Sequence, residues 1–382
     1  MKKIGISTVY SGFNYGSSLQ SYATKMILNE LEYDGINIAL KGSLIKGRDV
    51  RLKKLFNIVL SLVKQPLNIK KRIKIYTDSM SKPLSKESIK LFESFQKNHI
   101  KPCYYNWSEL KQLSHNDDFV AFLCGSDQIW NSDALYNDPL YYLRFAPKSK
   151  RIAFAPSFGR NYIANYNKKT IRRYIMEIPT LSVREESAVK IIKDLTNRNA
   201  IQLLDPTLVI DKTKWDKALD LQNKTQDLEK YILAYFLNEP SKYAKAFIKN
   251  LSSKYQLKVI AIPYMREPST WYDFIPNTGP REFVKLIKNA FFVCTDSFHG
   301  TAFSINYSVP FYTFERQYES ASKQSSRVTS LLDLLSLKER FNPLIDVQNI
   351  SIDFTTANKV LNLERERSVK YLKDAIEKIG DE

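Results

Sequence analysis

Cysteine and histidine are scarce in this chain, with three of each among 382 residues. Cys103, Cys124 and Cys294 lack metal-ligand spacing, and two of them sit inside apolar strand-like runs. They are expected to be reduced core thiols of a cytosolic protein. The histidines His99, His115 and His299 are equally scattered, so no zinc cluster and no bound metal is expected. There is no Asp-x-Asp pair, the arrangement expected of metal-dependent nucleotide-sugar transferases. No apolar run approaches the ~20 residues that a transmembrane helix needs. The opening Met1-Lys-Lys-Ile-Gly-Ile-Ser-Thr-Val-Tyr10 has neither an apolar h-region nor a cleavage site, and is expected not to be a signal peptide. Repeats and low-complexity tracts are missing as well.

Acidic residues are outnumbered 58 to 40, a formal charge of +18. Such a balance raises nucleic acid, anionic membranes and anionic substrates together. The excess is uneven: between Lys41 and Lys74 stand eleven Lys or Arg residues and one acid, Asp49. Within that span Leu52, Leu55, Phe56, Val59, Leu62 and Val63 follow i, i+3, i+4 spacing, flanked by Arg51, Lys53, Lys54 and Lys64. A basic amphipathic helix of this kind either lies in a membrane interface or packs its apolar face on its own domain. Outside 41–74 the basic residues are dispersed and carry no recognition motif, so nucleic acid is not an expected partner.

At 382 residues the chain suits two domains of about 150–200 residues each. Its 43% hydrophobic and 26% charged content is that of a globular protein. Strands and helices alternate. Strands are expected at Lys3 to Tyr10, Ile36 to Leu40, Asp118 to Cys124, Arg151 to Pro156, Thr180 to Val183 and Ile201 to Leu204. Asp205-Pro206 breaks the pattern, which restarts at Tyr231 with strands to Leu237, at Lys258 to Ile262, Phe291 to Cys294 and Phe311 to Phe314. A helix is expected over Ser85 to Lys97, and a long amphipathic one over Thr356 to Ile379. Such alternation with a restart implies two Rossmann-like domains of mostly parallel sheet with a cleft between them. We place the first over 1–212, the second over 228–350 and a final helical segment over 356–382.

In open α/β sheets ligands bind beyond the carboxyl ends of the strands. Four loops would stand there. Asn14-Tyr-Gly-Ser17 opens a helix; it is not a Gly-x-Gly-x-x-Gly, and it either offers N–H groups to a phosphate or makes a tight turn. Gly125-Ser-Asp-Gln-Ile-Trp-Asn131 puts a carboxylate, an amide and an indole at a strand end. These suit sugar hydroxyls and a sugar ring face, while Asp127 reads equally as a helix cap. Arg184, at the end of Thr180 to Val183, suits a phosphate or carboxylate, or else a neighbouring acid. The fourth loop, Asp296-Ser-Phe-His-Gly300, places His299 where a titratable group is useful; the plainer reading makes Asp296 and Ser297 caps and His299 a packed residue.

Asn14-Tyr-Gly-Ser-Ser-Leu-Gln-Ser-Tyr-Ala23, Cys124-Gly-Ser-Asp-Gln-Ile-Trp-Asn131, Ala155-Pro-Ser-Phe-Gly159, Ser182-Val-Arg-Glu185, Leu204-Asp-Pro-Thr-Leu208 and Thr295-Asp-Ser-Phe-His-Gly300 occur in that order. In this set the chain resembles the polysaccharide pyruvyl transferase family, from about Lys3 to Arg340. The resemblance implies an α/β, GT-B-like pair of Rossmann-like domains, with the last helix crossing back to the first. It implies transfer of pyruvate from phosphoenolpyruvate, as co-substrate and without a metal, to a lipid-linked or oligosaccharide acceptor as a cyclic ketal. The first domain would then be the acceptor side and the second the donor side. His299 and Asp127 are the expected catalytic residues. Arg184, Ser297, Gly300 and Arg327 are expected at the donor, and Asn14, Tyr15, Gly16, Ser126, Gln128, Trp130 and Asn131 at the acceptor. Some relatives carry an arginine two residues before the histidine, where this chain has Ser297; Arg184 or Arg327 would have to supply that charge.

The chemistry suits these residue types. A histidine can protonate the methylene carbon of phosphoenolpyruvate, and arginines with helix N-termini can hold its phosphate and carboxylate. Cell-surface glycans in bacteria are built at the cytoplasmic face of the membrane, so a cytoplasmic, peripheral enzyme meeting an anionic membrane surface is expected. Two other classes stay open on sequence: a GT-B-like glycosyltransferase using a nucleotide sugar, and a non-catalytic basic protein binding glycan or nucleic acid.

Overall fold

A computed structural model of the chain describes residues 1–41, 84–132, 137–222, 229–262, 271–316, 326–344 and 350–380. The basic amphipathic segment, including Lys53, Lys54, Lys70, Lys71 and Arg72, lies outside them. The chain divides into two compact α/β units.

The first unit takes the described residues up to Lys41, Gln96–Val209, and those from Glu364 onward. Its strands are β1 (Lys3–Ser7), β2 (Asp34–Leu40), β3 (Cys103–Tyr105), β4 (Phe119–Cys124), β5 (Arg151–Ala153), β6 (Thr180–Val183) and β7 (Ile201–Gln202). They form one parallel sheet in the order β3-β2-β1-β4-β5-β6-β7. β4 reads Phe-Val-Ala-Phe-Leu-Cys because helices cover both faces of a parallel sheet, leaving no solvent side to favour alternation. Gly5, between β2 and β4, is required by packing: a Cβ there would come within 2.5 Å of the Phe122 ring. β3 is not among the strands expected from the sequence. It is only three residues long and sits at the sheet edge, where a period-two pattern has no length in which to show.

The second unit takes Ile210–Leu363 together with the helix Lys86–Phe95. Its sheet is again parallel, in the order β11-β10-β8-β9, with β8 (Tyr231–Tyr235), β9 (Lys258–Ile262), β10 (Phe292–Thr295) and β11 (Phe311–Thr313). The sequence reading put the helix Lys86–Phe95 inside 1–212. It packs instead on residues nearly two hundred positions away. Thr278 N donates to Ser88 Oγ at 3.0 Å and Ser85 Oγ to Asn277 Oδ1 at 2.7 Å. A Cβ on Gly279 would meet Leu91 Cβ at 2.6 Å.

The final helix, Thr355–Gly380, divides between the units at Leu363/Glu364. Its later part closes the first unit: Tyr371 OH donates to Ala153 O at 2.9 Å, and Leu204 N donates to Ser368 Oγ at 3.3 Å.

Both strand orders contain a switch point. In the first sheet the chain steps outward from β1 through β2 to β3, then returns to β4 on the other side of β1. In the second it steps from β8 to β9, then returns to β10 across β8. At such a point the two flanking loops diverge and leave a crevice beyond the strand ends. The loops there are 8–17 and 125–131 in the first unit, and those following β8 and β10 in the second.

Candidate functional site

In the second unit the crevice is built around the helix Phe298–Asn306, every residue of which is buried. Ser297 is its N-cap: the Ser297 hydroxyl accepts from Gly300 N at 3.3 Å. Gly300 is fixed by packing as well, since a Cβ there would stand 2.5 Å from Thr295 Oγ1. Ser297 and Gly300, both expected at the donor, are joined in this cap, in which the Ser297 hydroxyl acts as acceptor and keeps its own O–H as a donor.

His299 occupies the first turn, 7% exposed, with Phe298 edge-on to its ring at 5.2 Å. Asp296, one residue before the cap, joins the loops at the switch point: its Oδ1 accepts from Leu237 N at 2.7 Å. Arg316, three residues beyond β11, pairs with the same carboxylate at 3.4 Å and donates through Nη2 to Asp296 O at 3.1 Å. Arg327, 6% exposed, lies with Asp296, Phe298 and Arg316 around a narrow crevice closed by Phe314 and Phe341. Two guanidinium groups beside a helix N-terminus are the chemistry that takes phosphate or carboxylate oxygens, although the crevice itself has a volume of only about 10 Å³, the space of one water, and Arg316 is already paired with Asp296. Arg327 was expected at the donor. Arg316 was missed, although its place just past the carboxyl end of a strand was readable.

In the first unit Asn14 caps the helix Tyr15–Glu30, its Oδ1 accepting from Ser17 N at 3.1 Å. Ser17 Oγ donates to Asp127 Oδ2 at 2.5 Å, so the Asn14–Ser17 and Gly125–Asn131 loops meet across the switch point. Asp127 holds a left-handed backbone, φ +73, and its carbonyl accepts from Ser157 N at 2.9 Å. Non-glycine residues adopt that conformation uncommonly, Asp more readily than most, and it keeps the half-buried carboxylate turned to the loop on β1. Asn131 Nδ2 donates to Gln128 Oε1 at 3.2 Å, and both side chains stay half-buried. Tyr15 and Gly16 lie buried in the first helical turn.

Three expected site residues belong to the core. Trp130 is fully buried, stacked on Tyr142 at 5.4 Å and tilted against Phe158, with its Nε1 donating to Tyr141 O at 3.0 Å. It has no ring face left for a sugar. Arg184, 2% exposed in its side chain, forms an ion pair with the fully buried Asp205 carboxylate, which also accepts from Ser126 Oγ at 2.8 Å. Burial works against the Arg184 charge, but Asp205, Asp127 and Glu185 outweigh it and hold the guanidinium above its ordinary pKa. Arg184 and Ser126 therefore brace the sheet. They belong to the first unit, whereas His299, Arg316 and Arg327 belong to the second. The Ala155–Gly159 motif is a brace too: Glu185 Oε1 accepts from Ser157 Oγ at 2.9 Å and Phe158 N at 3.0 Å.

Three tyrosines of the first unit, Tyr10, Tyr104 and Tyr141, were not selected by sequence reasoning. Burial pushes the Tyr10 phenol up, and the Tyr104 and Tyr141 phenols add to the shift. Burial, with Asp138 and Asp127 nearby, pushes the Tyr141 phenol up to about 12. Among the described residues, no group of three or more His, Cys, Asp or Glu side chains is placed to hold a metal ion. No described helix is long and apolar enough to cross a membrane.

A family model described as Polysaccharide pyruvyl transferase matches residues 14–318. No curated protein matches the chain. Among solved structures, UDP-N-acetylglucosamine 2-epimerase from Rickettsia bellii is similar over 99% of this chain and 97% of its own, with 11% identity and a TM-score of 0.49. The UDP co-structure of MnaA from S. aureus covers 98% of this chain and 91% of its own, at 11% identity and a TM-score of 0.47. The glycosyltransferase SnogD from Streptomyces nogalater covers 98% and 99%, at 9% identity and a TM-score of 0.43.

Proposed function

We propose that this chain, which belongs to the polysaccharide pyruvyl transferase family, moves the pyruvyl group of phosphoenolpyruvate onto two hydroxyls of a sugar as a cyclic ketal. The observation that carries the reading is the cluster in the second unit: His299 in the first turn of a buried helix, with Arg316 and Arg327 at the adjacent crevice. Phosphoenolpyruvate is small and trianionic, and two guanidinium groups with a helix N-terminus match its phosphate and carboxylate.

In this mechanism His299 delivers a proton to the methylene carbon, which becomes the methyl group. One sugar hydroxyl adds to the central carbon; a second adds as the C–O bond to phosphate breaks. Of the two hydroxyl protons released, one replaces that given by His299 and the other leaves with inorganic phosphate. The arginines bear the charge that develops on the departing phosphate. Enclosure of the site by Phe298, Phe314 and Phe341 limits water, which would otherwise take the activated pyruvyl group. Asp127, half-buried and held by Ser17, is the acceptor-side group suited to take a proton from a sugar hydroxyl.

The acceptor we assign is a lipid-linked or oligosaccharide precursor of a cell-surface polysaccharide, and the surplus of positive charge favours an anionic one. The test supplies phosphoenolpyruvate with a panel of nitrophenyl glycosides, in chelator, and follows phosphate release and the mass of one added pyruvyl ketal. Phosphate release only with an acceptor, unaffected by chelator, is the expected result. Transfer from a nucleotide sugar with phosphoenolpyruvate untouched would overturn the reading. Activity lost in chelator and restored by magnesium or manganese would overturn its metal-free part.

A further inference from the structure

One amide in the first unit holds both ends of the contact between Ser17 and Asp127. Gln20 stands in the first half of the helix Tyr15–Glu30 and is fully buried. Its Nε2 donates among three oxygens: Thr8 Oγ1 at 2.9 Å, Val9 O at 2.7 Å and Ser17 O at 3.0 Å. Its Oε1 is buried as well and accepts no hydrogen bond among the described residues. Turning the amide over would not mend this. Val9 O and Ser17 O can only accept, and Thr8 Oγ1 already gives its proton to Ser126 O at 2.8 Å. Gln20 is therefore committed to donation, and its oxygen stays unsatisfied at a cost in stability.

Those bonds close a ring. Gln20 holds Ser17 O, and the Ser17 hydroxyl donates to Asp127 Oδ2. Asp127 follows Ser126 in the chain, Ser126 O accepts from Thr8 Oγ1, and Thr8 Oγ1 accepts from Gln20. Gly125 permits the approach of the two loops, since a Cβ there would already stand 3.1 Å from Thr8 Cβ. The other carboxylate oxygen, Asp127 Oδ1, accepts from Gln128 N at 2.8 Å. We propose that Gln20 is a positioning residue, which through this ring sets the direction in which Asp127 presents its carboxylate to a sugar hydroxyl. The inference rests on the reading that Asp127 takes a proton from the acceptor, and adds what aims it. Without Gln20, the loop on β1 and the first helical turn lose their common donor, and the Ser17 hydroxyl is free to leave Asp127. A reacting group displaced by about 1 Å can cost on the order of a hundredfold in rate.

The test reads position and rate separately. Crystal structures are determined for Gln20→Leu and for Thr8→Val, which opens the ring on its other side and keeps the shape of the side chain. Both should show the Asp127 carboxylate beyond hydrogen-bond reach of Ser17 Oγ. An unmoved Ser17–Asp127 bond in both variants would overturn the inference. In transfer assays Gln20→Leu should lower kcat by about ten- to a hundredfold, with the Michaelis constant for phosphoenolpyruvate little changed. Gln20→Leu combined with Asp127→Asn should be no slower than Asp127→Asn alone, because the two act as one unit. Losses that multiply would make Gln20 a brace of the fold and overturn its positioning role. Thr24→Val removes an equally buried hydroxyl that bonds Gln20 O outside the ring, and should leave kcat alone. A loss there equal to that of Gln20→Leu would also count against the ring. A wild-type protein that moves no pyruvyl group would defeat the reading of the reaction, while the crystal structures would still decide whether Gln20 aims Asp127.

Discussion

Replacing Asp205 by Ala should destabilise the first unit through a single residue that touches no ligand. The Asp205 side chain is fully buried and accepts from Ser126 Oγ at 2.8 Å, Thr207 N at 3.0 Å, Thr207 Oγ1 at 2.7 Å and the Arg184 guanidinium. Without it, Arg184 keeps its charge at 2% exposure. Removing one partner of a buried ion pair costs about 3–5 kcal/mol, because the other charge is left uncompensated. Asp127 and Glu185 also act on Arg184 and partly offset the loss, which places the expectation near the lower end. At roughly 2–4 °C per kcal/mol for a unit of this size, 3–5 kcal/mol corresponds to a fall in Tm of about 6–20 °C. The double variant Arg184→Met with Asp205→Leu should lose less than Asp205→Ala, since it removes both charges and fills their volume. Thermal melts followed by circular dichroism read both quantities. An Asp205→Ala protein melting within about 2 °C of wild type would refute the reasoning. So would a tenfold rise in the phosphoenolpyruvate Michaelis constant of a folded double variant, which would return Arg184 to the donor site.

His299→Ala should lower turnover by about two to four powers of ten, the scale of a general acid, in a protein that keeps its wild-type melting profile; near-normal turnover would make His299 a packing residue. Arg327→Ala and Arg316→Ala should each raise the Michaelis constant for phosphoenolpyruvate by about ten- to a hundredfold, the equivalent of roughly 1.5–3 kcal/mol for a charged hydrogen bond. An unchanged constant in both would move the anion site elsewhere. For the basic segment 41–74 we expect sedimentation with anionic but not neutral vesicles at low salt, and release at high salt. Substituting Lys53, Lys54, Lys70, Lys71 and Arg72 by Gln should abolish it, and indifference of the wild-type protein to anionic vesicles would assign that charge another purpose.

The parallel strands were legible because each is a short apolar run followed by a polar loop, and the loops at strand ends carried the chemistry. What escaped depended on partners distant in sequence. Arg184 at a strand end reads as a ligand until Asp205 is seen to hold it. Trp130 follows a polar loop and looks available, yet Tyr142 and Phe158 enclose it from other segments. The helix Lys86–Phe95 precedes five strands of the first sheet but is anchored by Asn277 and Thr278. The phenols of Tyr10, Tyr104 and Tyr141, which influence one another, come from three separated stretches, so no local motif announces them.

The late partners of the first sheet also set a schedule for the chain's birth. Tyr371 reaches back 218 residues to Ala153, and Ser368 reaches 164 residues to Leu204. At roughly 5–20 residues per second, translation needs on the order of ten to forty seconds to cover the longer gap. Through that interval the nascent sheet stands without the helix that later buries Leu372, Ala375 and Ile376. Residues 210–363 of the second unit are made inside the same window, with its helix Lys86–Phe95 already synthesised, so that unit is free to fold first although most of it is encoded later. Loss of the last fifteen or so residues would therefore be felt by the beginning of the protein, as exposed apolar surface and aggregation during synthesis.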